Sequence, residues 1–224
     1  MKNDCDGHRK RLRGKLLERG ASSLADYELI ELILSYSIPR RDVKPLAKEL
    51  LKKFNSISSL FSAESKDICS VNGIGERSAG LIKLIYACHV KYFEEKMLDM
   101  DPISNPETVV NFSIASLLGK TDENLMAIFV NSKNRVQDYE IISEGTVDMA
   151  VVYPRKIIKK TLEKNANGII LVHNHPSGDP DPSGEDMKLT RAAKEAAAPM
   201  DIRVLDHIII GKGNYFSFLS KGIL

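Results

Sequence analysis

Cysteine is scarce in this chain, and its placement excludes two kinds of site. Only Cys5, Cys69 and Cys88 occur among 224 residues, and no two of them form a Cys-x-x-Cys pair. An odd number of widely spaced cysteines indicates neither a disulfide framework nor a thiolate zinc site. We therefore expect free thiols in a reducing compartment, and any metal must be held by His and carboxylate groups.

A long apolar run is also missing from the sequence. No segment approaches the roughly 18 to 20 apolar residues that a membrane span requires. The first eleven residues are polar, and they lack the apolar stretch of a signal peptide. The sequence therefore predicts a cytoplasmic globular protein without a membrane partner.

The chain has no strong excess of either charge, because its net charge is only +2. The two halves nevertheless differ. Residues 1–100 carry 18 Lys and Arg against 14 Asp and Glu, a balance of +4, and residues 101–224 carry 14 against 16, a balance of −2. This asymmetry permits a polyanionic partner for the first half without requiring one.

The first half has the periodicity of helices. Apolar residues recur at helical spacing from Arg9 to about Lys96, with a tight turn at Gly73 and Gly75. Residues 97–106 lose this periodicity and contain two prolines, as interdomain linkers often do. We therefore predict two domains, an all-α domain over residues 1–100 and a second domain over residues 101–224.

The second half alternates between two kinds of pattern. Turn formers at Asn131–Asn134 join two strand-like runs, as in a hairpin. The predicted strands are 125–130, 136–143, 168–175 and 202–211, and the predicted helices are 154–165 and 183–198. This alternation predicts a mixed α/β domain whose sheet is partly covered by helices.

Two imidazoles, a hydroxyl and a carboxylate follow one another at a distinctive spacing. His173 and His175 end an apolar strand, and residues i and i+2 of a strand point to the same face. Ser183 and Asp186 begin the next helix. Two same-face histidines and Asp186 give three protein ligands for one Zn²⁺, the number typical of a catalytic site. Ser183 and Asp186 also fit a helix N-cap with a carboxylate in the first turn, and both roles can coexist.

This segment resembles the JAMM motif of MPN-domain metalloproteases, which has the pattern Glu…His-x-His-x₇-Ser-x-x-Asp. The resemblance implies a cytidine-deaminase-like fold, one zinc per chain on the two histidines and Asp186, and an oxyanion contact from Ser183. It also implies an upstream glutamate as general acid and base. Glu123 has the expected placement, and Glu140 and Glu144 are alternatives. Either Asp206 or His207 could orient one of the metal ligands through a hydrogen bond.

The glycine turn in the first half resembles a helix-hairpin-helix motif. In such motifs the backbone N–H groups of the turn face a phosphate. The resemblance implies DNA contacts at Gly73 and Gly75, and Arg77 and Lys83 could add charge. Gly-Ile-Gly turns also occur as plain packing turns.

Along nearly its whole length the chain resembles the RadC family, which has a history of DNA-repair assignment. Gly14 and Asp148 are minor departures from the family pattern. The segments that carry the resemblance are 15–21, 73–75, 143–146, 153–155, 173–178, 182–186 and 206–211.

Two functions follow from these resemblances. The first is a zinc-dependent hydrolase that cleaves an amide or isopeptide bond in a protein or peptide, with a DNA- or partner-docking N-terminal domain. The alternative is a DNA-binding accessory protein of repair or recombination whose metal site is not catalytic. A nucleobase deaminase ranks lower, because the Pro-Cys-x-x-Cys ligands of deaminases are missing. A nuclease ranks lower because two-metal sites usually need more carboxylates than this motif supplies.

Overall fold

The structure is a computed structural model that describes residues 4–100, 102, 106–117, 119–145 and 154–224. The chain divides into two compact units, Met1–His89 and Val90–Leu224. The division falls inside a long helix, Glu76–Asp99. The domain boundary near residue 101 stays a prediction. The start of the proposed linker, residues 97–99, is helical, and Met97 is fully buried in the core of the second unit.

The described part of the first unit is helical, which confirms the predicted class of the N-terminal region. Its main core gathers apolar residues between Ile30 and Ile82, and a smaller core joins Leu12 of the first helix to Leu24 and Leu32. The helices are α1 (Asp4–Arg19), α2 (Asp26–Ser37), α3 (Lys44–Phe54), α4 (Ile57–Ser62), α5 (Ser65–Cys69) and α6 (Glu76–Asp99).

The second unit contains a mixed five-stranded sheet with helices, which confirms the α/β prediction. The sheet order is β2-β1-β3-β4-β5, with β3 and β4 parallel and the other neighbours antiparallel. The elements are α7 (Pro106–Leu117), β1 (Asn124–Val130), β2 (Val136–Glu144), α8 (Pro154–Glu163), β3 (Gly168–Asn174), α9 (Gly184–Ala197), β4 (Arg203–Ile210) and β5 (Tyr215–Ser217).

The sheet is covered on both faces, and the alternation of its central strands decides where His173 points. Every residue of β1 and β3 is buried, as expected for strands that pack on two sides. Ile169 and Leu171 of β3 face a core that includes residues of α8 and α9, whereas Ile170 and Val172 face a core that includes residues of α7. With a period of two, His173 lies on the α9 face.

For most elements of the second unit, the bounds predicted from sequence patterns agree with the structure to within one or two residues. The predicted hairpin is confirmed, with Asn134 in the left-handed region at φ 58° and the side chain of Asn131 accepting from two backbone N–H groups of the turn. Helix α7 and the three-residue strand β5 were not predicted. Thr146 and Tyr153, which belong to segments that resemble the RadC family, and Asp148, a departure from its pattern, lie outside the described residues.

Candidate metal centre

Three donor atoms converge at the end of β3. Nε2 of His173 lies 2.9 Å from Nε2 of His175 and 3.1 Å from Oδ1 of Asp186, and Nε2 of His175 lies 3.5 Å from Oδ2 of Asp186. Within the described ranges these three residues form a group that could hold a metal ion. The structure thus brings together the three predicted zinc ligands.

The strands on either side of β3 place the two histidines. His173 is fully buried between Leu125 of β1 and Ile209 of β4, its register partners. The backbone N–H of His175, just past the end of β3, donates to the carbonyl of Ile210 at 2.9 Å. The two rings lie side by side with centroids 4.8 Å apart, and the side chain of His175 remains 12% exposed. The site is therefore accessible from the His175 side.

The tautomer of His175 follows from a backbone contact. Its Nδ1 lies 2.7 Å from the carbonyl oxygen of Asp179. A carbonyl can only accept a hydrogen bond, so Nδ1 carries the hydrogen. In the neutral ring Nε2 then has a free lone pair that points toward His173 and Asp186, as a metal ligand requires.

The N-terminus of α9 positions Asp186. Ser183 is the N-cap and forms a capping box with Asp186, in which the Ser183 N–H donates to Oδ2 at 2.7 Å and its hydroxyl donates to Oδ2 at 2.6 Å. Oδ1 is left to face His173. The capping interpretation is therefore correct, and the same geometry also holds the carboxylate toward the histidines.

Asp186 is almost completely buried and yet ionised. Burial acts to raise the pKa of its carboxyl group, but hydrogen bonds with His173, His175 and Ser183 outweigh burial and hold the pKa well below its usual range. The pKa of His175 is raised, chiefly by its hydrogen bond with Asp186. The ionised carboxylate of Asp186 therefore places one negative charge next to the imidazole rings of His173 and His175.

The donor atoms lie close enough together to hold one metal ion. Ligands at about 2.0 to 2.1 Å from a tetrahedral Zn²⁺ lie roughly 3.3 Å from one another. The two imidazole nitrogens lie 2.9 Å apart, and a different oxygen of Asp186 is nearest each ring, Oδ1 at 3.1 Å from His173 and Oδ2 at 3.5 Å from His175. With one donor atom taken from each residue, all three atoms lie within 4.8 Å of one another. Two imidazole nitrogens and one carboxylate oxygen also form a ligand set that zinc uses in catalytic sites. The residues present fit the group that the JAMM resemblance implies.

An asparagine clamp holds Glu123 beside this site. Asn174, between the two histidines, accepts the backbone N–H of Asn124 at 3.0 Å and donates to the carbonyl of Asp122 at 3.1 Å. The backbone of Glu123 is thereby fixed at the end of β3. Its side chain is half-buried, and its charge contributes to the raised pKa of His175.

The alternative glutamates have different surroundings. Glu140 forms an ion pair with Lys160 of α8 at 2.7 Å. Glu144 is exposed at the end of β2, opposite Asn124. The electrostatic contact with His175 therefore favours Glu123, although its role as general base stays a prediction.

Of the pair Asp206 and His207, only the histidine reaches a candidate ligand. The carboxylate of Asp206 accepts hydrogen bonds from the Ser217 hydroxyl and from the backbone N–H groups of His207 and Leu219. His207 is fully buried, with Nε2 2.9 Å from Nδ1 of His173. Burial holds the pKa of His207 well below its usual value, so the ring is neutral.

The predicted DNA-contact residues lie in the first unit. Gly73, with φ 93°, forms part of the turn between α5 and α6, and Gly73, Gly75 and Arg77 are all exposed. Lys83 is instead turned toward the end of α4, where its ammonium group donates to the carbonyls of residues 61, 62 and 63. DNA contact at these four residues, and the helix-hairpin-helix assignment, stay predictions.

The loop that contains Asp179 and orients His175 packs closely against the backbone at Gly211, just after β4. A Cβ at Gly211 would lie 2.6 Å from the carbonyl oxygen of Gly178 and 2.8 Å from Cδ of Pro180. Gly178 accepts the N–H of Lys212 at 2.8 Å. Only a residue without a side chain lets the loop through Asp179 lie this close to the end of β4.

We expect Gly211→Ala to displace this loop. The substitution should cost about 1 to 3 kcal/mol of unfolding free energy, the range for forced overpacking, and it should weaken zinc binding because the Asp179 carbonyl moves away from His175. Thermal melts and a zinc competition titration measure both effects. Gly184→Ala is the matched control, since its Cβ meets open space. Equal stability and affinity in the two variants would contradict the steric account.

Comparisons with known proteins agree with this geometry. A model of the RadC-like JAB domain matches residues 103–223, and a model of the UPF0758 N-terminal domain matches residues 7–80. The chain belongs to the RadC-like JAB domain family. Relatives of the chain include UPF0758 proteins of Fusobacterium nucleatum, 38% identical over 99% of this chain and 98% of that protein, and of Ruegeria pomeroyi, 37% identical over 97% of each.

A third relative, a UPF0758 protein of Rhodobacter capsulatus, is 37% identical over 95% of this chain and its own full length. These names state no activity. The RadC-like JAB domain belongs to a superfamily that includes metallohydrolases. The resemblance of the chain to the RadC family is therefore confirmed. In the parts of the chain that the structure describes, no helix is both long and apolar enough to cross a membrane.

Proposed function

We propose that this protein is a zinc-dependent hydrolase that cleaves an amide or isopeptide bond in a protein or peptide substrate. The observation that supports this most directly is the convergence of one donor atom each from His173, His175 and Asp186 to within 4.8 Å of one another. One carboxylate and two neutral imidazoles would hold a single zinc per chain.

The three ligands leave one coordination position for chemistry. Zinc bound by three protein groups lowers the pKa of a water in the fourth position toward about 7 and polarises a carbonyl oxygen. Asp186, held ionised by its hydrogen bonds, supplies the negative charge that balances part of the charge of the cation. The exposed side of His175 is the approach for substrate.

Glu123 and Ser183 have different parts in this proposal. Glu123, fixed by the asparagine clamp, takes a proton from the attacking water and returns it to the leaving amine. The single hydroxyl hydrogen of Ser183 is donated to Asp186. Its contribution is therefore first to the orientation of the ligand, and an oxyanion contact would require that hydrogen to turn toward the substrate.

Metal analysis of the purified protein tests the proposal. We expect about one zinc per chain by mass spectrometry, because one three-ligand group lies in the part of the chain described. Protein purified without chelators and reloaded with zinc after dialysis should return to the same ratio. A protein that neither retains nor takes up zinc would contradict the proposal.

A further inference from the structure

A chain of three hydrogen bonds runs behind His173, on the side opposite its ligand nitrogen. Nδ1 of His173 lies 2.9 Å from Nε2 of His207, and Nδ1 of His207 lies 2.6 Å from the hydroxyl of Thr190. That hydroxyl lies 2.6 Å from the backbone carbonyl oxygen of Asp186. The chain thus begins at one candidate ligand and ends at the backbone of another.

The direction of every hydrogen bond in this chain follows from its last acceptor. The carbonyl of Asp186 can only accept, so the single hydroxyl hydrogen of Thr190 is donated to it. The Thr190 oxygen must then accept from Nδ1 of His207. A neutral His207 with its hydrogen on Nδ1 has a bare Nε2, which can only accept from Nδ1–H of His173. His173 therefore keeps its hydrogen on Nδ1, and its Nε2, which faces the metal position, is bare whenever the ring is neutral.

Among the residues that the structure describes, both ring nitrogens of His207 have their partners in this series of hydrogen bonds. The ring is fully buried and stacks on Phe218, with centroids 4.9 Å apart and planes 20° apart. The Phe218 N–H also donates to the His207 carbonyl at 3.0 Å. The stacked aromatic ring fixes the orientation in which both ring nitrogens of His207 reach their partners.

The opposite tautomer of His173 would be costly here. A neutral ring with its hydrogen on Nε2 could donate to Asp186, but it would block a metal. It would also place the bare Nδ1 of His173 against the bare Nε2 of His207, two acceptors 2.9 Å apart in a buried site. Thr190 and His207 thus stabilise the one tautomer that can bind a metal.

We infer that His207 and Thr190 are positioning residues that fix the tautomer and orientation of His173, and so prepare the site for zinc before the ion arrives. The inference rests on the proposed function for the identity of the ion. The tautomer of His173 itself is a property of the metal-free protein. These hydrogen bonds also couple the positions of two candidate ligands, because they connect the backbone carbonyl of Asp186 to the ring of His173.

His207→Leu tests this inference with two measurements. In metal-free protein at alkaline pH, ¹⁵N shifts of the imidazole rings should show His173 with its hydrogen on Nδ1 in the unsubstituted chain and a mixture of tautomers in the variant. Loss of such a partner typically weakens metal binding about 10- to 100-fold, and we expect that range for zinc in a chelator competition titration.

Conservative substitutions separate positioning from simple packing. His207→Gln keeps an amide oxygen for His173 and an N–H for Thr190, so we expect it to recover most of the zinc affinity lost in His207→Leu. Thr190→Val removes the hydroxyl without a change in shape and should weaken zinc binding about 10-fold, whereas Thr190→Ser should not. Far-UV circular dichroism and melting temperatures identify any variant that fails to fold.

The outcomes distinguish this inference from the proposed function. If the unsubstituted chain binds no zinc, the proposed function is wrong, and the ¹⁵N spectra still decide the tautomer. If the unsubstituted chain binds zinc, and the Thr190→Val and His207→Leu variants bind it as tightly and keep the same tautomer of His173, the positioning role is wrong. Equal weakening by Thr190→Val and Thr190→Ser would also overturn it, because only the former lacks the hydroxyl.

Discussion

Glu123→Gln will abolish most of the hydrolytic activity and leave zinc binding intact. A general base contributes about 10²- to 10⁴-fold to a rate, and we expect a fall of that size in kcat. The amide keeps the shape of the side chain but cannot take a proton from water. Because Glu123 belongs to no group of ligand atoms within the described residues, the zinc content should stay at about one per chain.

The two alternative glutamates provide matched controls for this experiment. Glu140→Gln removes one charge from an ion pair with Lys160 on the flank of the sheet, and Glu144→Gln changes an exposed side chain. Exposed ion pairs contribute only about 0 to 1 kcal/mol, so both variants should fold and turn over as the unsubstituted chain does. The assay uses internally quenched peptides and isopeptide-linked peptides. Full activity in Glu123→Gln together with loss in either control would assign the base to another glutamate.

The metal group was predictable because its geometry is local. A strand of period two places His173 and His175 on one face, and Asp186 follows after a short loop at the start of the next helix. Capping chemistry then explains both Ser183 and the orientation of Asp186. These inferences need only the secondary structure of one continuous segment.

The supporting contacts were harder to predict because they join distant elements. Asn174 and Asn124 are 50 residues apart, and their contact depends on the register between β1 and β3. The sequence pattern offered His207 as an orienting residue but offered Asp206 equally, since neither the parallel pairing of β3 with β4 nor the stack on Phe218 can be deduced from spacing. Thr190 gave no signal beyond its place in a helical pattern.

The missed elements have a related cause. Helix α7 begins at Pro106, one of the two prolines that suggested a linker, because proline is well suited to the first position of a helix. Strand β5 is only three residues long, below the length at which alternation can be recognised. Both are stabilised by tertiary contacts, since α7 packs on the sheet and β5 pairs with β4.

Zinc should stabilise the second unit strongly. The three ligands meet only in the folded chain, so zinc that binds the native state adds about 4 kcal/mol to the free energy of unfolding at 1,000 times its Kd. For a chain of this size each kcal/mol moves the melting temperature by about 2 to 4 °C, which gives a total rise of roughly 8 to 16 °C. Differential scanning calorimetry with and without chelator measures this rise.

The double variant His173→Ala/His175→Ala should show no zinc-dependent rise in melting temperature, because Asp186 alone cannot retain the ion at such concentrations. His89→Ala is the control for the number of histidines, since His89 is an exposed residue of α6 in the first unit. It should keep the full zinc effect. If the double variant were stabilised as much as the unsubstituted chain, zinc would have to bind elsewhere, and the convergence at the end of β3 would have to be explained by hydrogen bonding alone.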